Sequence, residues 1–188
     1  MAAINLPNHN LTFVHIPKNG GSSVVEWFVQ NIAPYDIIRG HPNLKTIKSH
    51  WNVVRSFAIV RNPWSRLVSS YFYLKQGKYY WDRNNIVAEE DFPSWNEYVM
   101  NMNYDTDSWN SLKTNQIEWI EGGVDFILRV ENLEEDFKLI QNLVSCYKPL
   151  LYINTSKHED YKTYYTSDQM NYVAKVFEKD IDTFKYTF

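Results

Sequence analysis

Cysteine occurs once, at Cys146, so no internal disulfide can form, and no Cys/His cluster has the spacing of a zinc site. The cysteine lies in an apolar helical pattern, which reads as a buried, inert thiol. No apolar run reaches the length of a membrane span. The first residues, Met1–Pro7, carry neither a basic segment nor a long apolar stretch, so the expectation is a soluble, cytoplasmic protein. Positive charge is not in excess: the net charge is −3, which excludes broad attraction to nucleic acid and requires any anion recognition to be local. Internal repeats, low-complexity tracts and linkers are lacking as well. At 188 residues the expectation is one domain over 1–188, long enough to bury a sizeable core. Aromatic residues are plentiful instead, with 7 Trp and 14 Tyr, and they fit either a thick core or a platform for stacking sugar rings.

Two segments dominate what is present. Phe13-Val-His-Ile-Pro-Lys-Asn-Gly-Gly-Ser-Ser23 and Phe57-Ala-Ile-Val-Arg-Asn-Pro-Trp-Ser-Arg-Leu-Val-Ser-Ser-Tyr71 each run from an apolar stretch, through a polar loop with one cation, to a helix start. A parallel α/β sheet builds anion sites in this way at the carboxyl ends of its strands. Two such units fit a ligand with two separate anionic groups.

The spacing predicts a first strand over Leu11–Ile16, ended by Pro17. A helix then runs from about Ser23 to Ile32 with a Ser23/Glu26 capping box. A second strand is expected over Thr46–Ser49, and a fully buried third over Ser56–Val60. Asn62 caps the next helix, with Pro63 at its first position. Residues 76–110, with Tyr79-Tyr80-Trp81, Trp95 and Trp109, read as an aromatic-rich insert. A strand follows over Val124–Val130, then a helix capped by Asn132 and Glu135 and ending near Tyr147. A polar loop over Ser156–Thr163 leads to a last helix capped by Ser167. The fold class is therefore α/β, a single domain with a mostly parallel central sheet flanked by helices.

In Lys18–Ser23 the backbone N–H groups of a Gly-rich loop and a helix N-terminus form a concave donor set for phosphate or sulfate. It is not a Walker A loop, because the lysine precedes the glycines. The plain alternative is a β-turn with a solvated lysine. Arg61 can grip a phosphate bidentately, or pair with a core carboxylate. Spacing alone gives Ser69 no ligand.

Together the two segments resemble the paired signatures of sulfotransferases that use 3′-phosphoadenosine 5′-phosphosulfate (PAPS). The nearer likeness is to the carbohydrate branch, which includes the heparan sulfate 2-O-sulfotransferases and chondroitin sulfotransferases. His15–Ser23 is similar to that family's 5′-phosphosulfate loop, and Val60–Tyr71 to its 3′-phosphate segment, where the matching arginine and serine are Arg61 and Ser69. Phe126–Leu133, Asn154–His158 and Asp180–Phe184 agree with the same family. The resemblance implies a P-loop-like sulfotransferase fold and an in-line transfer of a sulfuryl group from PAPS to a hydroxyl, expected on a carbohydrate, with no metal needed. It implies that Pro17, Lys18, Asn19, Gly20, Gly21, Ser22 and Ser23 hold the 5′ end, and that Lys18 stabilises charge on the leaving phosphate. By the same likeness Arg61 and Ser69 read the 3′-phosphate, and Lys157 lies in a loop that closes over the adenosine.

An acceptor hydroxyl needs a base, and His50, in Lys48-Ser-His-Trp51, is the first choice. The resembled family has Gly-His or His-x-His in a comparable stretch where this chain has Ser49-His50, so a structural or surface histidine stays open. His15 reads as a packed residue, and His41 as a loop residue. His158 sits in the polar loop beside Lys157. Glu118 and Glu131 are alternative bases, with Glu131 better suited to orienting an arginine. Two other classes stay in play: another nucleotide-dependent transferase such as a small kinase, and a non-catalytic nucleotide-binding protein of the same fold.

Overall fold

The computed structural model describes residues 2–78, 92–100, 114–153 and 158–188. The chain divides into two compact units, Met1–Arg61 with Gln116–Thr155, and Asn62–Asn115 with Ser156–Phe188.

The first unit is built on one five-stranded sheet: β1 (Ala2–Leu6), β2 (Leu11–Val14), β3 (Asp36–Arg39), β4 (Arg55–Val60) and β5 (Phe126–Arg129), in the order β3-β1-β2-β4-β5. The sheet is mixed. β2, β4 and β5 run parallel, with Val14 opposite Ala58 and Val60 opposite Arg129. β1 pairs antiparallel with both β2 and β3. The expectation of a mostly parallel sheet is corrected by that N-terminal half. A turn at Pro7–His9, closed by Asn10 in the left-handed region, folds β1 back on β2. A polar ladder then crosses three strands: Thr12 Oγ1 donates to Asn5 Oδ1 (2.9 Å) and Asn5 Nδ2 to Asp36 Oδ2 (3.1 Å).

Helices α1 (Gly21–Asn31), α2 (Leu44–His50), α5 (Gln116–Trp119) and α6 (Leu133–Val144) complete this unit; α3 (Pro63–Tyr73) and α4 (Trp95–Met100) belong to the second. Leu133, Phe137, Ile140 and Val144 of α6 and Val24, Trp27 and Phe28 of α1 share one apolar core with Phe13, Phe57 and Leu128 of the sheet. Trp27 and Phe137 meet edge to face at 5.0 Å, a geometry that adds to the area they bury. Cys146 lies just past α6, half-buried against this core.

The stretch expected as a strand over Thr46–Ser49 is helical, as α2. Asn43 accepts from Thr46 N (2.9 Å), and Leu44 and Ile47, three apart, are the buried pair. The Ser23/Glu26 capping box is also absent. α1 begins at Gly21 behind Gly20, whose φ of 73° supplies the turn, and no side chain caps it. Asn132 does sit at the N-cap of α6, but its side chain donates to Asp136 Oδ1 rather than capping the backbone.

In the second unit, α3 starts as expected: Asn62 Oδ1 accepts from Trp64 N (3.1 Å) and Ser65 N (3.3 Å), with Pro63 at the first position. The expected last helix is two helices, α7 (Ser167–Val176) and α8 (Glu178–Phe184), and Thr166, not Ser167, caps the first through a reciprocal box with Gln169. Tyr71 is the centre of an aromatic cluster, with Phe92, Trp95 and Tyr98 at 5.4, 5.3 and 5.0 Å. Trp95 also meets Tyr165 at 5.2 Å, so this ring of the insert serves packing. Tyr79-Tyr80-Trp81 and Trp109 lie outside the described residues. Among the described residues no helix is long and apolar enough to cross a membrane.

Candidate active site

β2 and β4 are parallel neighbours, so the loops that follow them leave the same edge of the sheet. Beyond β2 the chain passes His15-Ile16-Pro17 to Lys18, a non-glycine residue at φ 68°, and Gly20 at φ 73°. Two left-handed residues around Asn19 turn the backbone sharply into α1. The first N–H groups of any helix have no intrahelical partner. At α1 no side chain caps them, and the first turn holds no acidic residue. The result is an N-terminus suited to an anion.

Gly21 has a steric reason to be glycine. A Cβ there would overlap His15 at Cδ2 and Nε2 and stand 3.0 Å from Cγ. His15 is buried; its Nδ1 bonds Ala2 O at 3.2 Å and its ring stacks on Phe13 at 5.5 Å. Burial first, and the neighbouring His41 second, hold the His15 imidazole well below its ordinary value near 6.5. Its folded pKa is depressed, so the unfolded chain binds the extra proton. The neutral ring's contribution is complete above about pH 6.5 and drains away as the pH falls toward the folded value. Urea midpoints should therefore drop between pH 7.5 and 5, with His15→Gln flattening that slope by at most about 1.4 kcal/mol per pH unit. An unchanged slope in the variant would show that His15 is not the group titrating.

Asn19 is buried and faces inward. Its Nδ2 donates to Ile59 O and to Gln116 Oε1, both at 2.7 Å. Gln116 was not singled out from the sequence, and nothing local in Thr114-Asn115-Gln116 marks it. Arg61, one residue beyond β4, bonds that same amide through its backbone, and its Nη1 makes a long 3.4 Å bond to Lys18 O. The structure thus brings Lys18, Asn19 and Arg61 together. Ser23 sits in the first turn of α1, where its Oγ accepts from Ile153 N at 3.0 Å. The two loops differ in one respect. The α3 N-terminus is occupied by the Asn62 side chain, whereas no side chain caps α1.

The remaining candidates are placed as follows. Ser69 is buried on α3, in the second unit. His50 lies in the last turn of α2, exposed, with Nδ1 bonded to Thr46 O (2.9 Å) of its own helix, and not beyond a strand end as expected. His158 is stacked on Phe72 at 5.6 Å. Glu118 and Glu131 are exposed. Lys157 lies outside the described residues.

The loop after β2 thus joins a lysine to an uncapped helix start, and an arginine follows the parallel neighbour β4. The family follows from comparison: the sulfotransferase family matches residues 2–187, and the chain belongs to it. It is also 30% identical over 109 residues, 56% of this chain and 81% of the relative, to an uncharacterized protein of Archaeoglobus fulgidus. No solved structure matches it.

Proposed function

We propose that the chain moves the sulfuryl group of PAPS to a hydroxyl, on a carbohydrate acceptor. The observation that carries this reading is the uncapped, acid-free start of α1 behind Lys18 and Gly20, braced against the peptide of Arg61. The sulfotransferase membership supplies the reaction class. The choice of PAPS and of a carbohydrate rests on the likeness of the two loops to carbohydrate sulfotransferases.

In this reading the N–H groups of Asn19–Ser23 hold the 5′-phosphosulfate. Transfer is an in-line displacement. The acceptor oxygen forms a bond to sulfur while the bond from sulfur to the bridging phosphate oxygen breaks. That oxygen leaves with the electron pair, and the Lys18 ammonium stabilises it. The acceptor proton passes to a base, for which His50 remains the proposed group; its Nδ1–H donates to Thr46 O, which leaves the Nε2 lone pair to take the proton. The products are a sulfate ester and 3′,5′-ADP. Arg61 reads the 3′-phosphate. Ser69 and Lys157 keep their expected roles, 3′-phosphate and adenosine contact, on the likeness of the motifs alone. Positioning and fixed charge do most of the work, as in phosphoryl transfer.

Thermal shift tests the donor. At a hundredfold excess over Kd, 3′,5′-ADP should stabilise the protein by about 2.7 kcal/mol. That corresponds to roughly 5–10 °C for a chain of this size. ATP and 5′-AMP should give much less, and Arg61→Ala should erase the difference. Equal shifts for ATP and 3′,5′-ADP would remove PAPS as the donor.

A further inference from the structure

Gln116 has no exposed surface and occupies the start of α5, a helix of a single turn. Its side-chain amide does something a strand would ordinarily do. Oε1 accepts from Arg61 N (2.9 Å) and Nε2 donates to Arg61 O (2.8 Å), so the amide pairs with both polar groups of one peptide residue. The β4–β5 ladder ends at Val60 opposite Arg129. The amide therefore continues the pairing one residue beyond the ladder, at the residue whose side chain carries the charge. The same Oε1 accepts from Asn19 Nδ2 (2.7 Å), in the loop ahead of α1. These bonds also fix which end of each amide is which. Asn19 Nδ2 faces two acceptors, Ile59 O and Gln116 Oε1, and the Gln116 Nε2 faces a carbonyl.

α5 is itself tied down at its other end. Trp119 Nε1 donates to His41 O (3.3 Å), and the His41 ring bonds through Nδ1 to His15 O (2.9 Å), at the root of the Lys18 loop. A four-residue helix has almost no stability of its own. Its placement against both loops comes from these side-chain bonds, at Gln116 on one end and Trp119 on the other. Asn19 Oδ1 is buried and makes no hydrogen bond within the protein.

We propose that Gln116 is a positioning residue that sets the spacing between the loop ahead of α1 and the Arg61 peptide, and with it the preference for a nucleotide carrying both a 5′ and a 3′ phosphate. The inference rests on the donor reading above. It goes beyond it by making the preference depend on a buried neutral amide that touches no ligand. One carbonyl oxygen takes a donor from each loop, so neither can slide without breaking a buried bond to the other. Loss of the amide should leave each loop able to bind an anion but no longer hold the two at a fixed span.

The experiment measures Kd for 3′,5′-ADP and for 5′-AMP, which differ only in the 3′-phosphate, by calorimetry well below the melting temperature. The readout is the Kd for 5′-AMP divided by the Kd for 3′,5′-ADP. A role in stability alone lowers the melting temperature and leaves that ratio unchanged in the folded protein. Gln116→Leu is expected to cut the ratio at least tenfold. Gln116→Glu gives a second arm within one protein. Protonated, the new carboxyl offers the same donor and acceptor; ionised, it turns an oxygen toward Arg61 O and loses the donor. The ratio should approach the wild-type value at pH 5.5 and collapse by pH 8, against wild type measured at both. If Gln116→Leu does not fold, this arm decides. A large wild-type ratio that survives both substitutions at both pH values overturns the proposal and leaves the donor reading standing. A wild-type ratio near one overturns the donor reading and this proposal with it.

Discussion

Gly21→Ala is expected to abolish 3′,5′-ADP binding and to cost roughly 1–3 kcal/mol of stability, the usual range for overpacking a tight interior. The added methyl would occupy the space of the His15 ring at Cδ2 and Nε2. That ring cannot step aside, being buried, bonded to Ala2 O and stacked on Phe13. The strain passes to the start of α1, whose N–H groups are the proposed 5′ ligands. Gly20→Ala offers a contrast. Its Cβ would stand 3.3 Å from Leu133 Cδ2, the end of a flexible side chain, so its cost is mainly that of a left-handed alanine, about 1 kcal/mol. Pairing Gly21→Ala with His15→Ala should recover nucleotide affinity without recovering stability, because the ring is removed but a cavity remains. Calorimetry and melting curves on the three variants check this. Wild-type affinity in Gly21→Ala would mean that the close approach to His15 does not shape the loop.

Both strand–loop–helix segments were legible because their cues are local. A buried apolar run, a proline, paired glycines and an Asn-Pro step each act within a few residues. What was not legible depends on partners far along the chain. Ala2, Ala3 and Ile4 of β1 are buried, so the strand shows no alternation, and alanine is a weak strand former. β3 is a four-residue edge strand with charged residues at both ends, which reads as loop. Thr46 and Ile47 are β-branched and favour a strand locally, while the Asn43 cap and the Leu44/Ile47 spacing decide for the helix. Ser23 fits a capping box in sequence, yet its hydroxyl is taken by a backbone N–H 130 residues away. Gln116 lies 97 residues from Asn19 and 55 from Arg61, and no short-range rule reaches that far.

The other large effect concerns Lys18. Lys18→Ala should lower kcat by roughly 10²–10³, or about 3–4 kcal/mol, the loss typical when one preorganised group facing developing charge is removed. In the proposed transfer the charge on the bridging oxygen appears only as the bond to sulfur breaks, so the lysine would act on the transition state more than on bound donor. Affinity for 3′,5′-ADP should therefore change less than turnover does. Arg61→Ala should show the opposite partition, a raised KM for PAPS and weaker 3′,5′-ADP binding with a smaller drop in kcat, because the 3′-phosphate carries the same charge throughout the reaction. Lys18→Gly separates charge from backbone. It removes the ammonium and also relieves the φ of 68°, so it should lose as much kcat as Lys18→Ala while being the more stable of the two. Release of 3′,5′-ADP from PAPS, followed with a panel of glycan hydroxyl acceptors, gives the kinetic constants, and calorimetry gives the affinities. If both substitutions raise KM alone and spare kcat, Lys18 is a ground-state ligand and the leaving oxygen is stabilised by something else.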